Sequence, residues 1–181
     1  MVVGILLLGG PKAEKTPKQK AQSAKAAADA DALQAAAAVD DSFNCISVEG
    51  HMSTNDTVAL MASGASGVAA DVQEFQRLLT EVCQDLALQL LSDAEGSSHD
   101  IAIAVTGAAS EEDAVEVGRS VARNNLFKAA VYGNDPNWGR ILAAVGTTRA
   151  EFDPYNIDVS INGVSVSRLG QPDQSRDLVD M

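Results

Sequence analysis

The most regular hydrophobic pattern in the chain lies between residues 71 and 92. Val72, Phe75, Leu79, Val82, Leu86 and Leu90 recur at steps of three and four, which places them on one face of an α-helix. Asp71 and Glu74 open the stretch with capping-box spacing, so each can satisfy a backbone N–H that the first turn leaves unpaired. The pattern ends at Ser92-Asp93-Ala94-Glu95-Gly96. Ser110 and Asp113 form a second such pair, opening a helix through Val117 and Val121 to about Leu126. Ala26–Ala38 favours helix by composition, but a face of methyl groups buries little and needs packing partners. Pro136 suits the first position of a short helix over Asn137–Val145, stopped by Gly146.

Between these helices the pattern predicts strands. Phe43, Ile46 and Val48 sit in a run closed by Gly50, and Val58 to Ala62 gives another. Ile101–Val105 is a continuous apolar run of the kind a buried strand needs, ended by Thr106-Gly107, and Lys128–Tyr132 reads as a further strand. Ile157, Val159 and Ile161 alternate with polar residues. Asn162-Gly163 then supplies a hairpin turn, and Val164 and Val166 begin the return strand. Gly170 to Met181 is polar and predicts no completed element. The hairpin is left as a two-stranded fragment without a partner, which suggests that the polypeptide stops before its domain does. Helices mixed with short hairpins indicate an α+β fold, a layered mixed sheet with helices, in place of a doubly wound parallel sheet.

With 181 residues and 46% hydrophobic positions, the chain suits one domain with a real core. Its 13 Lys and Arg against 25 Asp and Glu give a formal net charge of −12. That sign argues against nonspecific nucleic-acid binding and against docking on anionic lipid. The charge is uneven: residues 1–28 hold five lysines and one glutamate, a net of +4. This shift marks a boundary near residue 28 and sets off a disordered leader from the domain that follows. Cys45, Cys83, His51 and His99 make no metal-ligand spacing. So few cysteines in a chain this size indicate reduced thiols inside a cell. Met1–Gly10 falls short of the ~18 residues a spanning helix needs and lacks a charged start. The expectation is a cytoplasmic protein without metal or membrane.

No glycine-rich phosphate loop is present, because Gly64-Ala65-Ser66-Gly67 lacks the lysine and the spacing. Ser97, His99 and Asp100 are too close in sequence to converge on one substrate atom as a triad. Three segments dense in small polar residues stand out. Ser53-Thr54-Asn55-Asp56-Thr57 can brace an irregular turn through its own side chains. In Asp93-Ala94-Glu95-Gly96, a carboxylate at a helix end opposes the helix dipole. It is there either as a solvated acid or to receive a substrate ammonium. Gly133-Asn134-Asp135-Pro136-Asn137-Trp138-Gly139-Arg140 holds the single tryptophan, a natural packing anchor.

These segments, with Asp40-Asp41-Ser42-Phe43-Asn44 and the continuation Ile141 to Gly146, resemble one family in order and spacing. That family is the ornithine acetyltransferases, or bifunctional glutamate N-acetyltransferases, of arginine biosynthesis. The resemblance spans residues 29–170, leaving 1–28 as a non-matching leader and 171–181 as a truncated polar tail. It implies the fold of the self-cleaving ornithine acetyltransferases and DmpA-like aminopeptidases. It also implies a precursor that cleaves itself before a threonine, which becomes the first residue of a β chain and the nucleophile. Acetyl then moves from N-acetylornithine to glutamate through an acetyl-threonine intermediate. No cofactor is required, although some members accept acetyl-coenzyme A as donor. The partner is the α chain of the same precursor, in a heterotetramer. By motif match, Glu95 is the substrate-binding carboxylate.

The family's nucleophile sits in an Ala-Thr-Met-Leu setting, and no Thr-Met-Leu occurs in this sequence. Thr16 falls at a comparable distance but is flanked by Lys15 and Pro17, so no catalytic residue is assigned. The expectation is a β-chain fragment that is inactive alone. The alternatives are a non-catalytic partner or degenerate copy, and a related self-cleaving aminopeptidase.

Overall fold

The computed structural model describes the backbone of residues 2–7 and, beyond it, residues 32–51, 54–63 and 65–181. The Lys-rich segment with Thr16, the start of the alanine-rich stretch, Ser53 and Gly64 lie outside the described residues. The chain divides into two compact units: Met1–Ile46 with His51–Leu90, and Ser47–Gly50 with Leu91–Met181. Length alone suggested a single domain.

In the first unit, strand β1 (Val2–Leu7) pairs in parallel with β2 (Thr57–Ala62), Val2 opposite Thr57 and Leu7 opposite Ala62. Within the stretch expected to be a disordered leader, Val2–Leu7 is therefore a paired strand. Helix α1 covers residues 32–40, and α2 runs over Val72–Ser92. The N-terminus of α2 forms as its sequence predicts. Asp71 accepts a hydrogen bond from the Glu74 backbone N–H at 2.9 Å. The Glu74 side chain does not close the box; it pairs with Arg77 at 2.7 Å, and Arg77 also pairs with Glu81. The guanidinium beside it holds the Glu74 carboxyl below its ordinary value.

Ala38, Leu79 and Cys83 form the buried core of this unit, with Phe43, Leu60 and Phe75 packed against them. The run Phe43–Val48, expected as a strand, starts instead as a 3-10 turn over Phe43–Cys45 and makes no ladder among the described residues. Local side chains wind it. Ser42 Oγ donates to the Ala38 carbonyl, and Asn44 Nδ2 donates to Asp40 Oδ1 at 2.6 Å. These bonds offer the backbone an alternative to a sheet.

Burial pushes the Cys83 thiol pKa up, opposed by a weaker hydrogen bond with Ser42. A thiol raised in this way favours the folded state at neutral pH, and that contribution is lost as pH climbs through the folded value. Cys45 is exposed. A disulfide thiol reagent at pH 8 is expected to modify Cys45 roughly 100-fold faster than Cys83, with Cys83 released only on denaturation. Equal rates would contradict this burial.

The second unit holds α3 (Glu111–Arg123), α4 (Asn125–Tyr132) and α5 (Trp138–Val145). Its sheet has the order β3 (Val159–Ile161), β4 (Val164–Arg168), β5 (Gln171–Pro172), all antiparallel. The hairpin turns at Asn162 (φ 46°) and Gly163 (φ 83°), as Asn-Gly permits. Strand β5 and a 3-10 turn over Arg176–Leu178 replace the structureless tail expected after Gly170, so the hairpin does have a third strand.

Two further strand expectations fail here. Ile101–Val105 is not laddered among the described residues. It lies against α3, where a Cβ added at Gly118 would stand at ordinary contact distance, 3.7 Å from Val105 and 4.0 Å from Ile103. Lys128–Tyr132 is helical because Asn124 ends α3 and caps α4, accepting from the Phe127 N–H at 3.0 Å. Val121, Phe127, Ala144 and Val145 make the core shared by the three helices, with Val117, Val131, Ile141 and Ile157 against it. The architecture is α+β, with one parallel and one antiparallel sheet among the described residues.

Candidate functional site

The Trp138 segment is a turn wound around one carboxylate. After α4 ends at Gly133, Asn134 takes a left-handed conformation (φ 50°), and the Asp135 N–H returns to the Ala130 carbonyl at 2.8 Å. The Asn137 N–H donates to the Asp135 carbonyl at 2.7 Å, closing a tight turn over Pro136. Pro136 therefore precedes the cap and is not the first helical residue; its fixed φ serves the turn. Asn137 is the N-cap of α5, its Oδ1 accepting from the Arg140 N–H at 3.2 Å.

The other half of the Asn137 amide donates to Asp135 Oδ2 at 2.9 Å. The second oxygen, Asp135 Oδ1, meets the Arg176 guanidinium at 3.1 Å. A carboxylate here also complements the partial positive charge at the start of α5. Arg140 Nη1 donates to the Leu126 carbonyl at 2.7 Å, tying the first turn of α5 to α4. Trp138 is half-buried in this frame.

Glu95 lies in a separate turn of the same unit, just beyond α2. The Ala94 N–H donates to the Leu91 carbonyl at 3.3 Å and the Ser97 N–H to the Ala94 carbonyl at 3.1 Å. Gly96 takes φ +69°, and a Cβ there would meet nothing within 4 Å. Glu95 is exposed, and no ion pair involves it among the described residues. The last turn of α2 carries no basic residue. Asp93 and Glu95 thus add negative charge beside the exposed carbonyls of a helix C-terminus, a field that favours a cation.

The sequence singled out three segments, and the structure puts two in one compact unit. Asp93–Gly96 and Gly133–Arg140 belong to the second, whereas residues 54–57 belong to the first. In that third segment Thr54 Oγ1 donates to Asn55 Oδ1 at 2.9 Å, so its side chains at least brace their own loop. The residues considered as a triad do not form one. Ser97 Oγ donates to the His99 carbonyl at 3.3 Å, and it is Ser98 that meets His99 Nδ1, at 2.8 Å. No group of three His, Cys, Asp or Glu among the described residues could hold a metal ion. No helix among them is long and apolar enough to cross a membrane. Sequence reasoning missed Arg176, since nothing local in a polar tail signals a partner 41 residues away.

Comparison with known proteins gives these segments a family. The ArgJ family model matches residues 22–180, so the chain belongs to the ArgJ family. The matched stretch is wider at both ends than the resemblance read from the motifs. Among curated relatives, the arginine biosynthesis bifunctional protein ArgJ of Thermobifida fusca is 61% identical over 145 residues, covering 80% of this chain and 38% of that protein. The protein of the same name from Bifidobacterium longum is 51% identical over 154 residues, covering 82% and 39%. This chain thus spans about two fifths of the length of such relatives. The crystal structure of the Bacillus halodurans arginine biosynthesis bifunctional protein superposes with a TM-score of 0.75 at 31% identity, covering 98% of this chain and 79% of that one.

Proposed function

We propose that the chain supplies substrate-binding elements of a glutamate N-acetyltransferase/ornithine acetyltransferase, with Glu95 receiving the ammonium of the amino-acid substrate. Membership of the ArgJ family carries the reading. The exposed Glu95 carboxylate, beside a helix end rich in negative charge, supplies the chemistry. In this scheme a threonine hydroxyl attacks the acetyl carbonyl of N-acetylornithine, and its proton passes to the departing ornithine amine. Glutamate's amine then attacks the acetyl-threonine, restoring the hydroxyl and releasing N-acetylglutamate. A carboxylate that pairs with the free side-chain ammonium of N-acetylornithine orients the donor for the first step, and glutamate's amine attacks unprotonated in the second. Acetyl-coenzyme A enters only as an alternative acetyl donor.

The proposal extends to an α-chain partner in a heterotetramer, and to a cytoplasmic setting. The relatives are named for arginine biosynthesis, a setting that supports acetyl transfer over the aminopeptidase alternative. The absence of Thr-Met-Leu from these 181 residues favours a chain that binds substrate but does not turn it over alone. Given N-acetylornithine and glutamate, the purified chain is expected to form N-acetylglutamate roughly 10³-fold or more slowly than a full-length family member. Comparable turnover surviving Thr16→Ala would show that the nucleophile lies elsewhere and that this account is wrong. Co-purification with a co-expressed family α chain would favour the partner reading over a degenerate copy.

A further inference from the structure

Asp135 is gripped from a direction that the turn itself does not supply. Its Oδ2 belongs to the turn, through Asn137 Nδ2 at 2.9 Å, but its Oδ1 is held by Arg176 Nη1 at 3.1 Å. Arg176 is itself delivered by a fastened segment. On one side of it the Asp173 N–H donates to the Val166 carbonyl at 3.3 Å and the Gln174 N–H to the Ser165 carbonyl at 3.0 Å. Ser165 Oγ adds a bond to Asp173 Oδ2 at 2.7 Å. On the other side Asn162 Nδ2 donates to the Asp180 carbonyl at 2.6 Å. The residues around Arg176 are thus bound to the β3–β4 hairpin.

We propose that Arg176 is a positioning residue for the Gly133–Arg140 turn, acting through Asp135 and Asn137 on the first turn of α5 and so on Trp138 and Arg140. The relay is continuous: guanidinium to Asp135, Asp135 to the Asn137 amide, Asn137 Oδ1 to the Arg140 N–H at 3.2 Å. The Arg176 side chain is 58% exposed and that of Asp135 36%, so the pair contributes little to global stability. Its consequence is local. The carboxylate that orients the Asn137 cap is fixed by two donors and cannot rotate to follow solvent. The effect on N-acetylornithine binding rests on the proposed function and on this turn, in the same compact unit as Glu95, contributing to that binding; the effect on the turn itself does not.

Trp138 is the one tryptophan in the chain and reports on the turn directly. Arg176→Ala is expected to raise acrylamide quenching of Trp138 about two-fold while moving the melting temperature by less than about 2 °C, as for an exposed ion pair. Arg176→Lys is expected to keep wild-type quenching, because a single N–O contact can be made by an ammonium. In an Asp135→Ala background, which removes both acceptors, Arg176→Ala should add nothing. Affinity for N-acetylornithine should fall about five-fold in Arg176→Ala, as expected for one charge-assisted bond acting at one remove. Wild-type quenching in Arg176→Ala, or an effect that persists in Asp135→Ala, would overturn the proposal. If the wild-type chain binds neither N-acetylornithine nor glutamate, the acetyltransferase reading falls, and the quenching series alone still decides the role of Arg176.

Discussion

Glu95→Gln is expected to weaken binding of N-acetylornithine by about five-fold, the worth of one ion pair made by an exposed carboxylate. The substitution is nearly isosteric and removes only the charge. Because Glu95 is exposed and pairs with no cation among the described residues, the melting temperature should stay within about 1 °C. Removing a negative charge beside the C-terminal carbonyls of α2 would, if anything, raise it slightly. A loss of affinity without a loss of stability is the signature of a carboxylate kept for a ligand. Calorimetric titration of wild type and variant separates the two. Unchanged affinity would assign Glu95 to the solvated surface.

Phe127→Ala is expected to cost about 3–5 kcal/mol of stability, the usual toll of truncating a buried aromatic. Phe127 is 8% exposed and lies where α3, α4 and α5 share their core, with Val121, Ala144 and Val145. The N-cap of α4 also converges on it, since the Phe127 N–H is the donor to Asn124. Loosening α4 would release the turn it leads into, so Trp138 should become more quenchable as urea stability falls. A cost under about 1 kcal/mol by urea denaturation would mean that this core carries much less of the fold.

The parts of the fold that were legible are those whose determinants are local. Asp71 and Ser110 announce their helices because a capping side chain acts within three residues, and both caps are made. Asn162-Gly163 announces its hairpin because the turn's left-handed backbone demands such residues. The failures share a different cause. Lys128–Tyr132 and Ile101–Val105 are short apolar runs in which periodicity cannot separate strand from helix or from extended packing. What decides Lys128–Tyr132 lies outside the run, in the Asn124 cap, while Ile101–Val105 lies against α3 without a ladder among the described residues. Strand β5 was hidden because Gln171-Pro172 is polar and finds its partner through tertiary context.

The site divides in the same way. Glu95 and the Trp138 segment could be picked out from residue type and order, which are properties of text. The Asp135 hub could not, because its meaning depends on Arg176, whose position is fixed by bonds to a hairpin that the sequence left without a third strand.

Chemical-shift mapping of backbone amides during titration with N-acetylornithine tests the central claim most directly. The account predicts that the largest perturbations fall on Asp93–Gly96 and Gly133–Arg140, and that those at Asp93–Gly96 vanish in Glu95→Gln. Saturable perturbations confined to other parts of the chain, with both turns unmoved, would contradict it.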